Sequence, residues 1–130
     1  MKRIIIDTNF LIIPIQFRVD IFSEIGRICN FNYKIFIFDK SIGELENIIR
    51  KQSQKHKKAA EFALKLIRLK NISMIKSDEK DVDSLILENL DNDTIVATQD
   101  IGLRKKLLEK GASLIILRQK KYLQLIKKGL

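Results

Sequence analysis

Two aspartates follow apolar segments that have the length and composition of buried strands. Asp7 directly follows the segment at 3–6, and Asp100 follows the segment at 94–97 after Thr98 and Gln99. If both segments are central parallel strands, both carboxylates lie at the same edge of the sheet, where sites of α/β proteins form. For each aspartate taken alone, a role as the N-cap of the helix that follows it is the more common explanation.

Two further acids belong to segments with helical periodicity. Glu44 completes a capping box that begins at Ser41, and this local role would be enough to explain it. Asp83 begins a predicted apolar stripe that continues through 86, 87 and 90. We therefore expect Asp83 to face inward, where an unpaired charge is costly unless a metal ion or a basic group lies beside it.

Four acids at one edge of a sheet would have a specific chemistry. Carboxylates that crowd one another raise each other's pKa, so such a cluster is tolerated chiefly with a hard cation. Oxygen ligands favour Mg²⁺ or Mn²⁺. A cation held by a few carboxylates keeps an open side for a phosphate group, which is the usual arrangement for phosphodiester hydrolysis.

Apolar periodicity predicts the elements that would position these acids. Strands are predicted at 3–6, 35–38, 72–75, 94–97 and 114–117, and helices at about 20–29, 41–53, 56–70, 82–90 and 103–108. The tail at 120–128 is predicted to be amphipathic or frayed. The alternation predicts an α/β fold of three layers, in which helices cover both faces of a mostly parallel sheet of four to five strands. Without a linker or a repeat, residues 1–130 are expected to form one domain.

Charge and composition narrow the partners. The net charge is +9, from 25 basic and 16 acidic residues, and it suits an anionic partner such as nucleic acid. The candidate nucleic-acid-binding residues are Arg104, Lys105, Arg118 and Lys120. Arg104 and Arg118 each follow shortly after a predicted strand, and a solvated helix face is the alternative interpretation of these basic groups. His56 lies in a lysine-rich segment and is predicted to be a surface residue without a catalytic role.

The sequence also predicts where the chain resides. Cys29 is the single cysteine, which excludes an internal disulfide, and its helical context predicts a buried apolar role. No signal peptide is recognisable. The longest uncharged stretch is 8–17, about half of what a membrane helix needs. We therefore expect a cytoplasmic protein without a membrane partner.

Four short motifs occur in an order that resembles the PIN-domain nucleases. They are Ile5-Ile6-Asp7-Thr8-Asn9, Glu44-Leu45-Glu46, Asp83-Ser84-Leu85-Ile86 and Ile95-Val96-Ala97-Thr98-Gln99-Asp100. The resemblance implies a Rossmann-like PIN fold in which Asp7, Glu44, Asp83 and Asp100 hold Mg²⁺ or Mn²⁺. It also implies that Thr8, Asn9 and Thr98 orient these acids through hydrogen bonds. Glu46 is the alternative to Glu44.

The chain departs from the usual PIN pattern at two positions. Gln99 stands where Asn is typical, and Ser84 stands where the rRNA-processing branch often has a further Asp. The segment that begins at Leu117 resembles archaeal stand-alone PIN proteins close to that branch, named Fcf1/Utp24.

The resemblance implies an endoribonuclease whose products carry 5′-phosphate and 3′-hydroxyl ends. Its substrate would be tRNA, mRNA or an rRNA precursor. It would be either a VapC-like toxin held by an antitoxin protein or an rRNA-processing enzyme, and a homodimer is an open alternative to a monomer.

Two other classes of protein share parts of this pattern. The first is a PIN-fold module that binds RNA or protein without cutting. The second is a phosphoryl-accepting receiver domain, which usually has two adjacent acids after its first strand, whereas here Asp7 is followed by Thr8 and Asn9.

Overall fold

A computed structural model describes residues 1–51 and 54–127. The strands are β1 (Lys2–Ile6), β2 (Tyr33–Phe38), β3 (Ser73–Ile75), β4 (Thr94–Ala97), β5 (Ser113–Arg118) and β6 (Tyr122–Ile126). The helices are α1 (Ile13–Phe17), α2 (Ile21–Ile28), α3 (Lys40–Lys51), α4 (Gln54–Leu69), α5 (Val82–Glu88) and α6 (Ile101–Glu109), and a 3₁₀ helix at Thr8–Ile12 precedes α1.

The strands form one sheet in the order β3-β2-β1-β4-β5-β6. All neighbouring strands are parallel except β5 and β6, which pair antiparallel. The strand order reverses between β1 and β4, where Ile6 pairs with Ala97. Such a reversal opens a crevice beyond the carboxyl ends of the two strands, so the residues after Ile6 and Ala97 lie at the natural site of the fold.

Two apolar cores lie on opposite faces of the sheet. Within β1, Ile4 and Ile6 contribute to one core and Ile5 to the other, because successive strand residues point to opposite faces. The first core is completed by helices α1 to α4 and the second by α5 and α6. This arrangement confirms the predicted three-layer α/β/α fold with a mostly parallel sheet.

The structure corrects the predicted number of strands. The sheet has six strands rather than four to five, since the segment at 122–126, predicted to be amphipathic or frayed, is β6. Within β6, buried Leu123 alternates with exposed Tyr122 and Gln124. This period of two is that of an edge strand with one solvated face. The end of the predicted tail, residue 128, lies outside the described residues.

Two helical details also differ from the prediction. The stretch at 8–17 forms the 3₁₀ helix and α1, which the apolar periodicity did not indicate. On α5 the buried side chains are Val82, Leu85 and Ile86 rather than those at 87 and 90. The stripe is therefore rotated by one residue, and Asp83 lies half-buried at its border instead of fully inside.

No helix among residues 1–51 and 54–127 is both long enough and apolar enough to cross a membrane.

Candidate active site

Asp7 lies at the centre of the sheet edge and is held from two sides. It is only 4% exposed. The backbone N–H of Thr8 donates to its Oδ1 (2.9 Å), and the hydroxyl of Thr98 donates to its Oδ2 (2.8 Å). Asp7 therefore caps the 3₁₀ helix, in agreement with the N-cap interpretation of the sequence. It also occupies the crevice between β1 and β4.

Thr98 connects Asp7 to Asp100. Its fully buried hydroxyl donates to Asp7 and accepts from the backbone N–H of Asp100 (3.0 Å). Asp100 in turn caps α6, because its Oδ1 accepts from the N–H of Leu103 (3.0 Å). A Cβ at Gly102 would lie 3.3 Å from this Oδ1, so glycine leaves room for the carboxylate.

Glu44 reaches the site through Thr8 rather than through a capping box. Helix α3 begins at Lys40, so Ser41 is already inside it and does not cap it. The fully buried Ser41 hydroxyl is 2.7 Å from Oγ1 of Thr8, and the Thr8 hydroxyl donates to Oε1 of Glu44. The capping-box interpretation of Ser41 and Glu44 is therefore wrong. Ser41 instead contacts the hydroxyl of Thr8, which in turn contacts Glu44.

Glu46 faces away from this cluster. It is exposed and lines a separate depression with Ile49 and Arg50. The placement of the two glutamates thus favours Glu44 as the member of the site.

An open cleft of about 430 Å³ lies over three of the acids. Its lining residues are Asp7, Thr8, Asn9, Glu44, Asn47, Ile48, Asp81, Val82 and Asp83. Asp81 was not predicted to be near the site; it caps α5 by accepting from the N–H of Ser84 (2.8 Å). Asp100 is not among the lining residues, and it is linked to the cluster through Thr98 and through its charge.

The acids repel one another, as the sequence predicted. Burial, together with the charges of Asp83 and Glu44, raises the pKa of Asp7 to about 6, although the hydrogen bond from Thr98 opposes this shift. Burial and the charges of Asp100, Asp81 and Glu44 raise the pKa of Asp83. The charges of Glu44 and Asp83 therefore act on Asp7, and those of Glu44 and Asp100 act on Asp83. A bound cation would relieve this repulsion.

The donor set fits a hard cation that keeps part of its water. No group of three or more carboxylate, histidine or cysteine side chains in the described part of the chain is close enough to enclose a metal ion. Mg²⁺ needs only one or two direct carboxylates and takes waters and substrate phosphates as its other ligands. Asp7, Glu44 and Asp83, which share the cleft, supply oxygen donors of this kind.

Asn9 and Gln99, two other residues of the motifs, contact each other beside the site. The contact made by Asn9 is through its main-chain carbonyl, which accepts from Nε2 of Gln99 (3.0 Å). Gln99, which stands where Asn is usual, makes this contact with its side-chain amide.

The basic residues separate into different surroundings. Arg104 and Lys120 line one cavity beside Thr98, whereas Arg118 donates from Nε to Oε1 of Gln124 (2.6 Å) across the β5–β6 hairpin. Lys105 is exposed. Its neighbour Lys106, which belongs to the same basic cluster but was not selected as a candidate nucleic-acid-binding residue, is the lysine whose charge lowers the pKa of Asp83.

The two adjacent lysines give a matched test of this assignment. Because Lys106 lowers the pKa of Asp83, Lys106→Ala should raise that pKa, and the effect should be small because the pair is solvated. Lys105→Ala should leave it unchanged. Carboxyl NMR titration of both variants in low salt measures the shifts, and equal shifts would contradict the assignment.

Comparisons with known proteins agree with this geometry. A family model described as a PIN-like domain matches residues 4–120. The chain is 32% identical over 127 residues to Ribonuclease VapC4 of Methanocaldococcus jannaschii, covering 96% of this chain and 97% of that protein.

Solved structures show the same fold. The PIN domain endonuclease Utp24 superimposes with a TM-score of 0.79 at 18% identity, over 98% of this chain and 95% of that one. A domain of a functionally unknown protein from Methanocaldococcus jannaschii superimposes with a TM-score of 0.58 at 16% identity, over 91% and 92% of the two chains. From the family model and the near-complete match to a curated relative, the chain belongs to the PIN-like domain family.

Proposed function

We propose that this chain is an endoribonuclease that depends on Mg²⁺ or Mn²⁺. The observation that carries the proposal is the group of acids around the crevice between β1 and β4, in which burial and neighbouring carboxylates raise the pKa values of Asp7 and Asp83. The near-complete likeness to Ribonuclease VapC4 supports RNA as the substrate.

The side chains have separate tasks in this proposal. Thr98 and the N–H of Thr8 fix the two oxygens of Asp7, so that the carboxylate presents one orientation to the cleft. Thr8 fixes Glu44, and Ser41 fixes Thr8. When bound, Mg²⁺ or Mn²⁺ would neutralise the acids and supply the positive charge needed to activate water against a phosphodiester.

The open shape of the cleft suits a polymeric substrate. A cleft of about 430 Å³ that is open to solvent admits a strand from the side. The carboxylates of the site repel a polyanion, and the net charge of +9 on the whole chain offsets this repulsion.

The biological role divides into the two alternatives that the sequence left open. Likeness to Ribonuclease VapC4 extends over 97% of that protein at 32% identity, whereas the likeness to Utp24 at 18% identity concerns the fold. We therefore favour a VapC-like enzyme, controlled by an antitoxin protein, over an rRNA-processing enzyme. Its RNA would be a tRNA or an mRNA in the first role and an rRNA precursor in the second.

Metal removal should stop cleavage without unfolding the protein. We expect EDTA to abolish cutting of structured RNA and either ion to restore it, with 5′-phosphate and 3′-hydroxyl product ends. Adding Mg²⁺ at about a hundredfold excess over its Kd should raise the free energy of unfolding by about 2–3 kcal/mol. Denaturant melts with and without the ion measure this second effect independently of activity.

The same experiment separates the alternatives. Cleavage that persists in EDTA would contradict the metal dependence. RNA binding without cleavage in either ion would support the non-catalytic binding module instead.

A further inference from the structure

A second cavity lies beside the cleft of the acids and has the opposite charge. Its volume is about 360 Å³, and it lies beyond the carboxyl ends of β4 and β5. Arg104 and Lys120 line it, and no carboxylate is among the described residues of its lining. We call it the basic cavity.

The basic cavity shares a wall with the site of the acids. Thr98, whose hydroxyl donates to Asp7, is part of its lining. Gln99 also lines it and donates to the carbonyl of Asn9, which lines the acidic cleft. One extended molecule could therefore contact both cavities while crossing only the side chains of these central residues.

Lys120 is held at the cavity by an unfavourable backbone conformation. Gln119 and Lys120 both have positive φ, 52° and 55°, and the N–H of Lys121 donates to the carbonyl of Arg118 (3.0 Å). Positive φ at both central residues is the pattern of a type I′ turn, which strongly favours Asn-Gly. This chain has two residues with long side chains instead, and their Cβ atoms make the left-handed conformation less favourable than it is for glycine.

The turn directs the ammonium group of Lys120 across the cavity. Its Nζ lies 5.7 Å from the centroid of the Phe17 ring, which is another part of the lining. Among residues 1–51 and 54–127, Lys120 has an aromatic neighbour and no acidic partner at this position, so its charge is available to an anion.

We propose that the basic cavity binds a phosphate group of the RNA strand, next to the one that is cleaved, through Lys120 and Arg104. This inference rests on the proposed function, because it takes RNA as the substrate. It assigns to the β5–β6 turn the task of holding the strand in place while the acids act on the neighbouring linkage.

Two glycine substitutions in the turn test the proposal. Lys120→Gly and Gln119→Gly both remove a side chain from a left-handed backbone position, but only the first removes a cation. In EDTA, RNA affinity of Lys120→Gly should fall about fivefold or more in low salt. Its plot of log affinity against log salt should become shallower by about 0.7–0.9, the value for one lost phosphate contact. Gln119 also lines the cavity but carries no charge, so Gln119→Gly should keep the salt slope of the parent.

Arg104→Gln provides a second variant outside the turn and should show the same loss of affinity and slope. Fluorescence anisotropy with one labelled structured RNA measures all four proteins. If the parent binds and cleaves RNA but Lys120→Gly and Arg104→Gln bind with unchanged affinity and slope, the phosphate site is wrong and the nuclease proposal stands. If the parent neither binds nor cleaves RNA, both proposals fail.

Discussion

Asp7→Asn is expected to reduce RNA cleavage by at least about 10²–10³-fold and, without metal, to make the protein more stable. The neutral amide has the size of the carboxylate and its oxygen can still accept from the N–H of Thr8. It is a much poorer ligand for Mg²⁺. A residue that only capped the 3₁₀ helix would tolerate this change.

The expected gain in stability follows from the raised pKa of Asp7. In the unfolded chain this pKa is near 3.8, and in the folded chain it is about 6. Folding therefore favours the protonated form, so the folded state loses stability as pH rises from about 4 to 6 and keeps that deficit above pH 6. The deficit is about 3 kcal/mol at most. An asparagine side chain cannot ionise, so the Asp7→Asn variant should exceed the parent by up to this amount at pH 7 and by little at pH 4.

Asp20→Asn is the matched control. Asp20 caps α2 by accepting from the N–H groups of Phe22 and Ser23, and these bonds lower its pKa. Its substitution should leave cleavage unchanged and should lower stability at pH 7, the opposite sign to Asp7→Asn. Urea unfolding in EDTA at pH 4 and pH 7, beside a cleavage assay with Mg²⁺, measures both variants. If Asp7→Asn cuts as fast as the parent, Asp7 is a cap only.

Thr98→Val is expected to reduce cleavage about 10–100-fold, the usual loss when a hydrogen-bond partner of a metal-binding side chain is removed. Valine fills the same buried space but cannot donate to Asp7 or accept from the N–H of Asp100. Since the hydrogen bond from Thr98 opposes the rise in the pKa of Asp7, its loss should raise that pKa further. Protons then compete more strongly with the metal.

The pH dependence distinguishes this effect from a general loss of structure. The acidic limb of kcat/KM against pH should move to higher pH in Thr98→Val and should stay near that of the parent in Thr98→Ser, which keeps the hydroxyl. We expect Thr98→Val to lose about 1–3 kcal/mol of stability, because a backbone N–H at the site loses its partner. Identical pH profiles for the Val and Ser variants would contradict the role assigned to Thr98.

The sequence was sufficient for the features that repeat along the chain. Apolar strands alternating with amphipathic helices predicted the layers, and the position of Asp7 and Asp100 after two such strands predicted the edge at which they lie. These inferences succeed because strand and helix periods are local properties. The 3₁₀ helix at Thr8–Ile12 was not predicted. Its buried residues Phe10 and Leu11 belong to a segment that is too short and too uniformly apolar to show a helical period.

The supporting contacts could not be predicted from spacing. Ser41 matched a capping box in the sequence, yet helix α3 begins one residue before it. The hydroxyl of Ser41 instead forms a hydrogen bond with Thr8, 33 positions away. Lys106 and Lys105 are equivalent as sequence, and only the orientation of α6 places the charge of Lys106 near Asp83. Such choices depend on how elements pack, which no local pattern contains.

The pairing of β1 with β4 also determines when the cluster of acids is complete during synthesis of the chain. Asp7 and Thr98 are separated by 91 positions, and Thr98 directly follows β4, the fourth of six strands among the described residues. A ribosome therefore releases Asp7, Thr8, Ser41 and Glu44 long before Thr98 and Asp100 exist to complete the cluster. Pairing over so long a separation is also intrinsically slow. A nascent chain of this kind carries no assembled cluster of acids until most of the polypeptide has been made.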